Sequence, residues 1–218
     1  MRCSTLPTTA LLAVFGLITL TACTSEDPMP APDTAVSPET AAATDDGLEG
    51  DPGTNGWMCQ YASPDSVAAV TGSEPTTVRE VVVQDDEDGW VCEVLVGDAG
   101  AQEVVLTVSV LLGEESRDAA RERAEAADGV EPGPDYLGRS FVSPGLVTGL
   151  TLCAAPDATR ADDRVPYTLV AESRAGTDEA ATDALLTTLT GAARSLDQGV
   201  GCSPRAALAD DEASTTAP

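Results

Sequence analysis

Val104, Leu106, Val108, Val110 and Leu112 place an apolar residue at every second position of one stretch of this chain. A period of two is the repeat of a β-strand, whose successive side chains point to opposite faces. The segment therefore commits one face to a core and obliges the chain to build a sheet. Neighbouring segments supply the rest of it. Val78 to Gln84 is β-branched. Trp90, Cys92, Val94 and Val96 then share one face after Asp88-Gly89, a two-residue turn signal, so the pair reads as a hairpin. Ser140 to Val142, Leu146 to Ala154 and Tyr167 to Glu172 read as further strands. Pro166, with no amide hydrogen to give a ladder, is expected at an edge or a strand start.

Three helices are expected between and around these strands. Ser63-Pro64-Asp65 supplies a cap, a first-turn proline and an early acid ahead of Val67 and Val70, and Gly72 sits where that helix ends. Ser116 to Ala127 is rich in alanine and charge. Its small face at Ala120, Ala124 and Ala127 would lie close to a sheet, and Gly129 and Pro132 stop it. Thr177 caps the last helix, Asp178 and Glu179 suit its positive end, and Leu185, Leu189, Ala192 and Leu196 form one stripe. The order α-β-β-β-α-β-β-β-α predicts an α+β fold: an antiparallel sheet of about five or six strands with helices packed on one face, an α/β sandwich.

Ahead of this domain, Arg2 precedes an apolar run from Ala10 to Leu20 that closes in Leu20-Thr21-Ala22-Cys23. The run falls short of the ~20 residues a spanning helix needs, and the acidic stretch after Cys23 does not extend it. The arrangement resembles a bacterial lipoprotein signal with its lipobox. That resemblance implies removal of residues 1–22, a diacylglycerol thioether on Cys23, and attachment to the extracytoplasmic face of the cell membrane. Two or more acyl chains anchor firmly, at ~0.8 kcal/mol per buried methylene. An ordinary secretory leader would instead leave an odd cysteine in an exported chain. Residues 23–56 follow as the lipidated cysteine and an acidic Pro/Ala/Thr tether, with a coil reach of ~30 Å. Residues 57–202 are sized for a single α+β domain, and residues 203–218 read as a disordered acidic tail.

Composition removes whole classes of chemistry. The 218 residues carry 37 acids against 11 basic residues, all arginine, for a formal charge of −26. A polyanion without a basic stripe is no partner for nucleic acid, and its electrostatic attractants are cationic. There is no histidine and no lysine. That excludes Ser-His-Asp and Cys-His sites, imidazole-bound metals, Schiff bases and Walker-type phosphate loops. Ser140, in Gly138-Arg139-Ser140-Phe141-Val142, lacks the second glycine of a nucleophile elbow and reads as a strand residue.

With Cys3 in the leader and Cys23 lipidated, Cys59, Cys92, Cys153 and Cys202 remain. An even number in an oxidising compartment predicts two disulfides. A zinc site would draw on close pairs of thiolates, which these are not. Of three connectivities, Cys59–Cys92 and Cys153–Cys202 join chain neighbours, each contributing ~3 to 4 kcal/mol by loop closure. Cys153 alternates out of phase with Leu150 and Leu152, so it faces away from the core unless a bulge intervenes. Trp57-Met58-Cys59 and Trp90-Val91-Cys92 repeat one spacing, which predicts two indoles packed over the first bridge, or alternatively a binding platform. An exported domain of this layout, judged by leader, Trp-x-Cys positions and cysteine count, resembles the small lipoproteins of actinobacterial cell envelopes. The resemblance implies location rather than mechanism.

Asp85-Asp86-Glu87-Asp88-Gly89 has the look of a calcium loop, but with Gly89 as its sixth position the first is Gln84 and the twelfth Leu95, neither a carboxylate. A solvated turn is expected, and Asp157, Asp162 and Asp163 form a second acidic loop. The resulting expectation is a non-catalytic binding or accessory module of the envelope, with no catalytic residue, metal or cofactor. Its partners are the membrane through Cys23 and an envelope protein or small ligand. Two alternatives stand beside it: a carrier holding an apolar or amphipathic ligand between sheet and helices, and a carboxylate hydrolase of wall glycans with two acids across a cleft.

Overall fold

A computed structural model describes residues 56–155, 160 and 163–209. The leader, Cys23, the expected tether up to residue 55, Asp157, Asp162 and residues 210–218 lie outside the described residues. Strands β1 (Val78–Asp86), β2 (Gly89–Val96) and β3 (Glu103–Leu112) form one meander, and β4 (Glu131–Pro132), β5 (Arg139–Ser143), β6 (Leu146–Ala154) and β7 (Arg164–Ser173) a second. β3 and β7 join them into one sheet of order β1-β2-β3-β7-β6-β5-β4, with every neighbouring pair antiparallel. Three helices complete the fold: α1 (Pro64–Thr71), α2 (Glu114–Glu125) and α3 (Glu179–Val200).

The α+β class and the antiparallel sheet stand, with seven strands where five or six were expected. The extra one, β4, spans two residues and contains Pro132, so no alternating or β-branched run announces it. The capping signals of α1 are realised: the Ser63 hydroxyl accepts from the Ser66 amide at 3.0 Å, and Gly72 takes φ 72°. α3 starts one residue later than Thr177 implied. Asp178 is the cap, its carboxylate accepting from the Ala181 amide at 2.9 Å, an arrangement that also suits the helix dipole. The first hairpin also turns one residue earlier. Asp86 pairs with Gly89, leaving Glu87 and Asp88 as the turn.

Alternation along the strands divides their side chains between two cores. Cys92 and Val94 of β2, Leu106, Val108 and Val110 of β3, Val147 and Cys153 of β6, and Leu169 and Ala171 of β7 cluster with Val67 and Val70 of α1 and Leu185 and Leu189 of α3. The residues between them point the other way, where Leu150 of β6 and Phe141 of β5 meet Ala124 and Ala120 of α2. The helices therefore cover both faces, α1 and α3 on one and α2 on the other, and the expected one-face packing is corrected. β6 and β7 are buried almost without interruption from Leu146 to Thr151 and from Pro166 to Ala171, as strands covered on both sides are. This also settles the phase of Cys153: it and Leu150 are both fully buried, against different helices.

Two bulges perturb the pattern. The β2–β3 register steps from Val94↔Leu106 to Leu95↔Val104, which skips Val105 and turns it into the core while Val104 is only half-buried. In edge strand β1 the register skips Val83, and Val82 and Val83 are exposed. After α3, Ser203 donates its amide to the Leu152 carbonyl at 2.7 Å, residues 204–209 are helical, and Ala207 is fully buried. The segment expected to be disordered from Ser203 is thus ordered through 209, because Ala206-Ala207-Leu208 offers an apolar edge to pack. Gly138, at φ 76°, lets this happen: a Cβ there would lie 2.0 Å from the Leu150 carbonyl oxygen and 3.4 Å from the Ala207 Cβ.

Leu169 is fully buried on β7, between Val110 of β3 and Gly149 of β6. Leu169→Ala is expected to lower the unfolding free energy by ~2–5 kcal/mol in urea titrations, with an unchanged slope. A loss under about 1 kcal/mol would show that β7 is not central to the core.

Candidate functional site

Both sulfur bridges join the neighbours in sequence, Cys59 to Cys92 (Cα–Cα 5.6 Å) and Cys153 to Cys202 (Cα–Cα 3.8 Å). The first ties the loop ahead of α1 to β2, and the second ties the end of α3 to β6. Around the first bridge only one of the two indoles packs as expected. Trp90 lies against the core, edge-on to Tyr61 with ring centroids 6.0 Å apart, whereas Trp57 is 46 % exposed. The reason is local: Cys59 and Gln60 have φ of 50° and 62°, so Trp57-Met58-Cys59 runs into a tight turn rather than along a strand, and the turn brings Tyr61 against Trp90 instead. Glu80 accepts a hydrogen bond from the Cys59 amide, and its carboxylate lies within 4.8 Å of both sulfurs. The sulfurs are spent on each other, so this cluster has no thiolate to offer a metal.

The other candidates resolve as structural. The Ser140 hydroxyl, buried in β5, donates to the Pro134 carbonyl at 3.0 Å. The acidic hairpin is exposed and internally bonded, with Asp86 accepting from the Gln84 amide at 2.9 Å and from the Asp88 backbone at 3.0 Å. The Gln84 contact, followed by the turn amides, holds the Asp86 carboxyl below its ordinary value. In the second acidic loop the Asp163 carboxylate accepts from the Arg160 amide at 3.2 Å.

A cleft of about 730 Å³ runs between α2 and its side of the sheet, a position that no motif marks. Its floor comes from strand positions that alternate away from the α1–α3 core: Thr107 and Ser109 of β3, Val170 and Glu172 of β7, and Thr148 of β6. Its wall is the small side of α2, at Ser116, Ala119 and Ala120. Alanine explains the space, because bulkier side chains at these positions would have filled it. At one end Asp88, from the β1–β2 turn, meets Glu114 and Glu115 in the first turn of α2, and the Asp88 carbonyl accepts from the Leu112 amide at 2.9 Å. At the other, Glu172 is held by Arg123 of α2 at 2.5 Å and by Arg174 at 3.9 Å, through different carboxylate oxygens. The lining supplies hydrogen-bonding hydroxyls, carboxylates and apolar surface. It brings no activated nucleophile and base together, and Glu172 is engaged on both oxygens.

No family model matches the chain, and neither a curated protein nor a solved structure matches it. Its site is therefore read from its own residues. Replacing Cys153 and Cys202 by serine opens a loop of 49 residues and is expected to lower stability by ~4 kcal/mol in urea while adding no titratable thiol. The unreduced wild-type chain should show no free thiol among Cys59, Cys92, Cys153 and Cys202 on alkylation after denaturation. Alkylation at any of the four would contradict the pairing.

Proposed function

We propose that this chain is a non-catalytic binding module, lipid-anchored through Cys23 on the extracytoplasmic face of the cell membrane, which holds a small ligand in the cleft between α2 and the sheet. The cleft is the observation that carries the ligand part. At about 730 Å³ it falls in the range of small-molecule sites, and it combines an apolar wall with a few polar groups, as such sites do. The lipobox at Leu20–Cys23 supports the location, and two bridges suit an oxidising compartment. The lack of histidine and lysine, together with a floor of hydroxyls, supports binding over turnover. Among the expected roles, the cleft favours the carrier of a small amphipathic ligand over recognition of a protein.

Two measurements test it. A bacterial host making the full chain in the presence of alkyne-tagged palmitate should label the wild type and not Cys23→Ala, and an unlabelled wild type in the medium overturns the anchor. Native mass spectrometry of the Cys23→Ala chain from the same host should show added mass that denaturation releases and that Ala120→Trp, which fills the cleft, prevents. A bare mass in the Cys23→Ala chain overturns the carrier role.

A further inference from the structure

The cleft floor is unusual for a sheet face covered by a helix. In register, Ser109 of β3, Val170 of β7 and Thr148 of β6 form one row across the strands, and Thr107 and Glu172 begin the next. At ~4.8 Å per strand, Ser109 and Thr148 stand roughly 10 Å apart with Val170 between them. Thr148 is 1 % exposed and Ser109 8 %. The Thr107 hydroxyl is buried without a hydrogen-bond partner, and so is that of Thr168, two residues before Val170 on the same face. Burying a hydroxyl without a partner is destabilising, and valine has nearly the shape of threonine. Neighbouring positions of these strands, Val105, Val108, Val110 and Val147, do carry valine. The Thr151 hydroxyl is likewise unpartnered on the opposite face, so the orphaned hydroxyls alone do not mark a site; Thr107, Ser109 and Thr148 are the hydroxyl residues that line the cleft and face a guest there.

Charge narrows the guest. Asp88, Glu114 and Glu115 reach one end of the cleft from two separate elements, and the only arginine in the lining, Arg123, sits with Glu172 at the other. Glu114 is 3.8 Å from Arg117, while Asp88 and Glu115 add two further carboxylates to that end. The chain as a whole carries −26, so an anion is repelled at long range as well. Between the ends, Ala119, Ala120, Leu111 and Val170 present apolar surface.

Resting on the reading of the cleft as a ligand site, we infer that its ligand is an amphiphilic amine: an ammonium at Asp88 and Glu115, hydrogen-bonding groups on the hydroxyls of Ser109 and Thr148, and a short apolar chain along Ala119, Ala120 and Val170. Three probes sharing an octyl chain separate the contributions: N-octyl-D-glucamine, a cationic polyol; n-octyl β-D-glucoside, a neutral one; and octanoate, an anion. Binding is measured by titration calorimetry on the full Cys23→Ala chain, below each probe's micellar concentration and at low salt, with Ala120→Trp as the control that fills the cleft.

The glucamine is expected to bind about tenfold more tightly than the glucoside, the effect of two partly screened ion pairs, and octanoate more weakly than both. Asp88→Asn with Glu115→Gln should erase the advantage of the amine and leave the glucoside unchanged. Ser109→Ala with Thr148→Val should weaken both polyols alike, with circular dichroism and urea unfolding confirming that the fold persists. If the glucoside or octanoate binds as well as the amine and Ala120→Trp blocks it, the amine assignment is wrong and the cleft remains a ligand site. If no probe binds, or Ala120→Trp leaves binding unchanged, both readings fall.

Discussion

Everything in this fold hangs on the pairing of β3 with β7, strands separated by the whole of α2, β4, β5 and β6 in sequence. Seven residue pairs, from Leu106↔Ser173 to Leu112↔Tyr167, are the sheet's seam between a three-stranded and a four-stranded meander. Neither meander presents a finished core by itself. α1 and α3 rest on each other and on the strands beside the seam, and α2 lies across the reverse side of the same strands. Leu106, Val108 and Leu169 are fully buried because the seam brings together residues that are distant in sequence. Such nonlocal closure demands loop entropy before it returns contacts, so the seam is where stability and folding speed are both decided.

Local signals in the sequence carried far, and their failures are instructive. The caps of α1, the stripe of α3, the long strand of β3 and the neighbour-to-neighbour cysteine pairing rest on short-range chemistry, and each reappears in the structure. The side of the sheet that α2 would take was not legible. Its low mean hydropathy and small alanine face are compatible with either side, and only the tertiary seam decides. Bulges at Val105 and Val83 arise from strand pairing, which leaves no mark in a run of valines. Trp57 looked like the twin of Trp90 until the left-handed backbone at Cys59 and Gln60 turned the chain away.

The candidate site was the least legible part, for the same reason. Thr107, Ser109 and Thr148 occupy ordinary strand positions, and in a sheet with one solvated face they would be outward-facing hydroxyls of no special interest. Covering that face with α2 turns them from surface residues into the floor of a cleft, and the alanines of α2 leave the space beneath the cover unfilled. Asp88, at first glance one more acid in a solvated turn, becomes a rim residue because the turn between β1 and β2 abuts the start of α2. A site assembled from such unremarkable residues has no motif, which fits a chain whose lack of histidine and lysine already excluded most catalytic ones.

The layout of the bridges has a bearing on biogenesis. Cys59 and Cys92 stand nearest the amino terminus of the domain, and Cys153 and Cys202 follow, with no interlacing. A chain threaded across a membrane amino end first exposes its thiols in that order, so an oxidant acting on each pair as it emerges makes the native bonds directly. Interlaced bridges would leave Cys59 waiting while wrong partners arrived, and would call for an isomerase. In a chain exported as proposed above, the first loop would be locked before the seam strand β7 had left the translocation channel, and the second bond would wait for the residues that end α3.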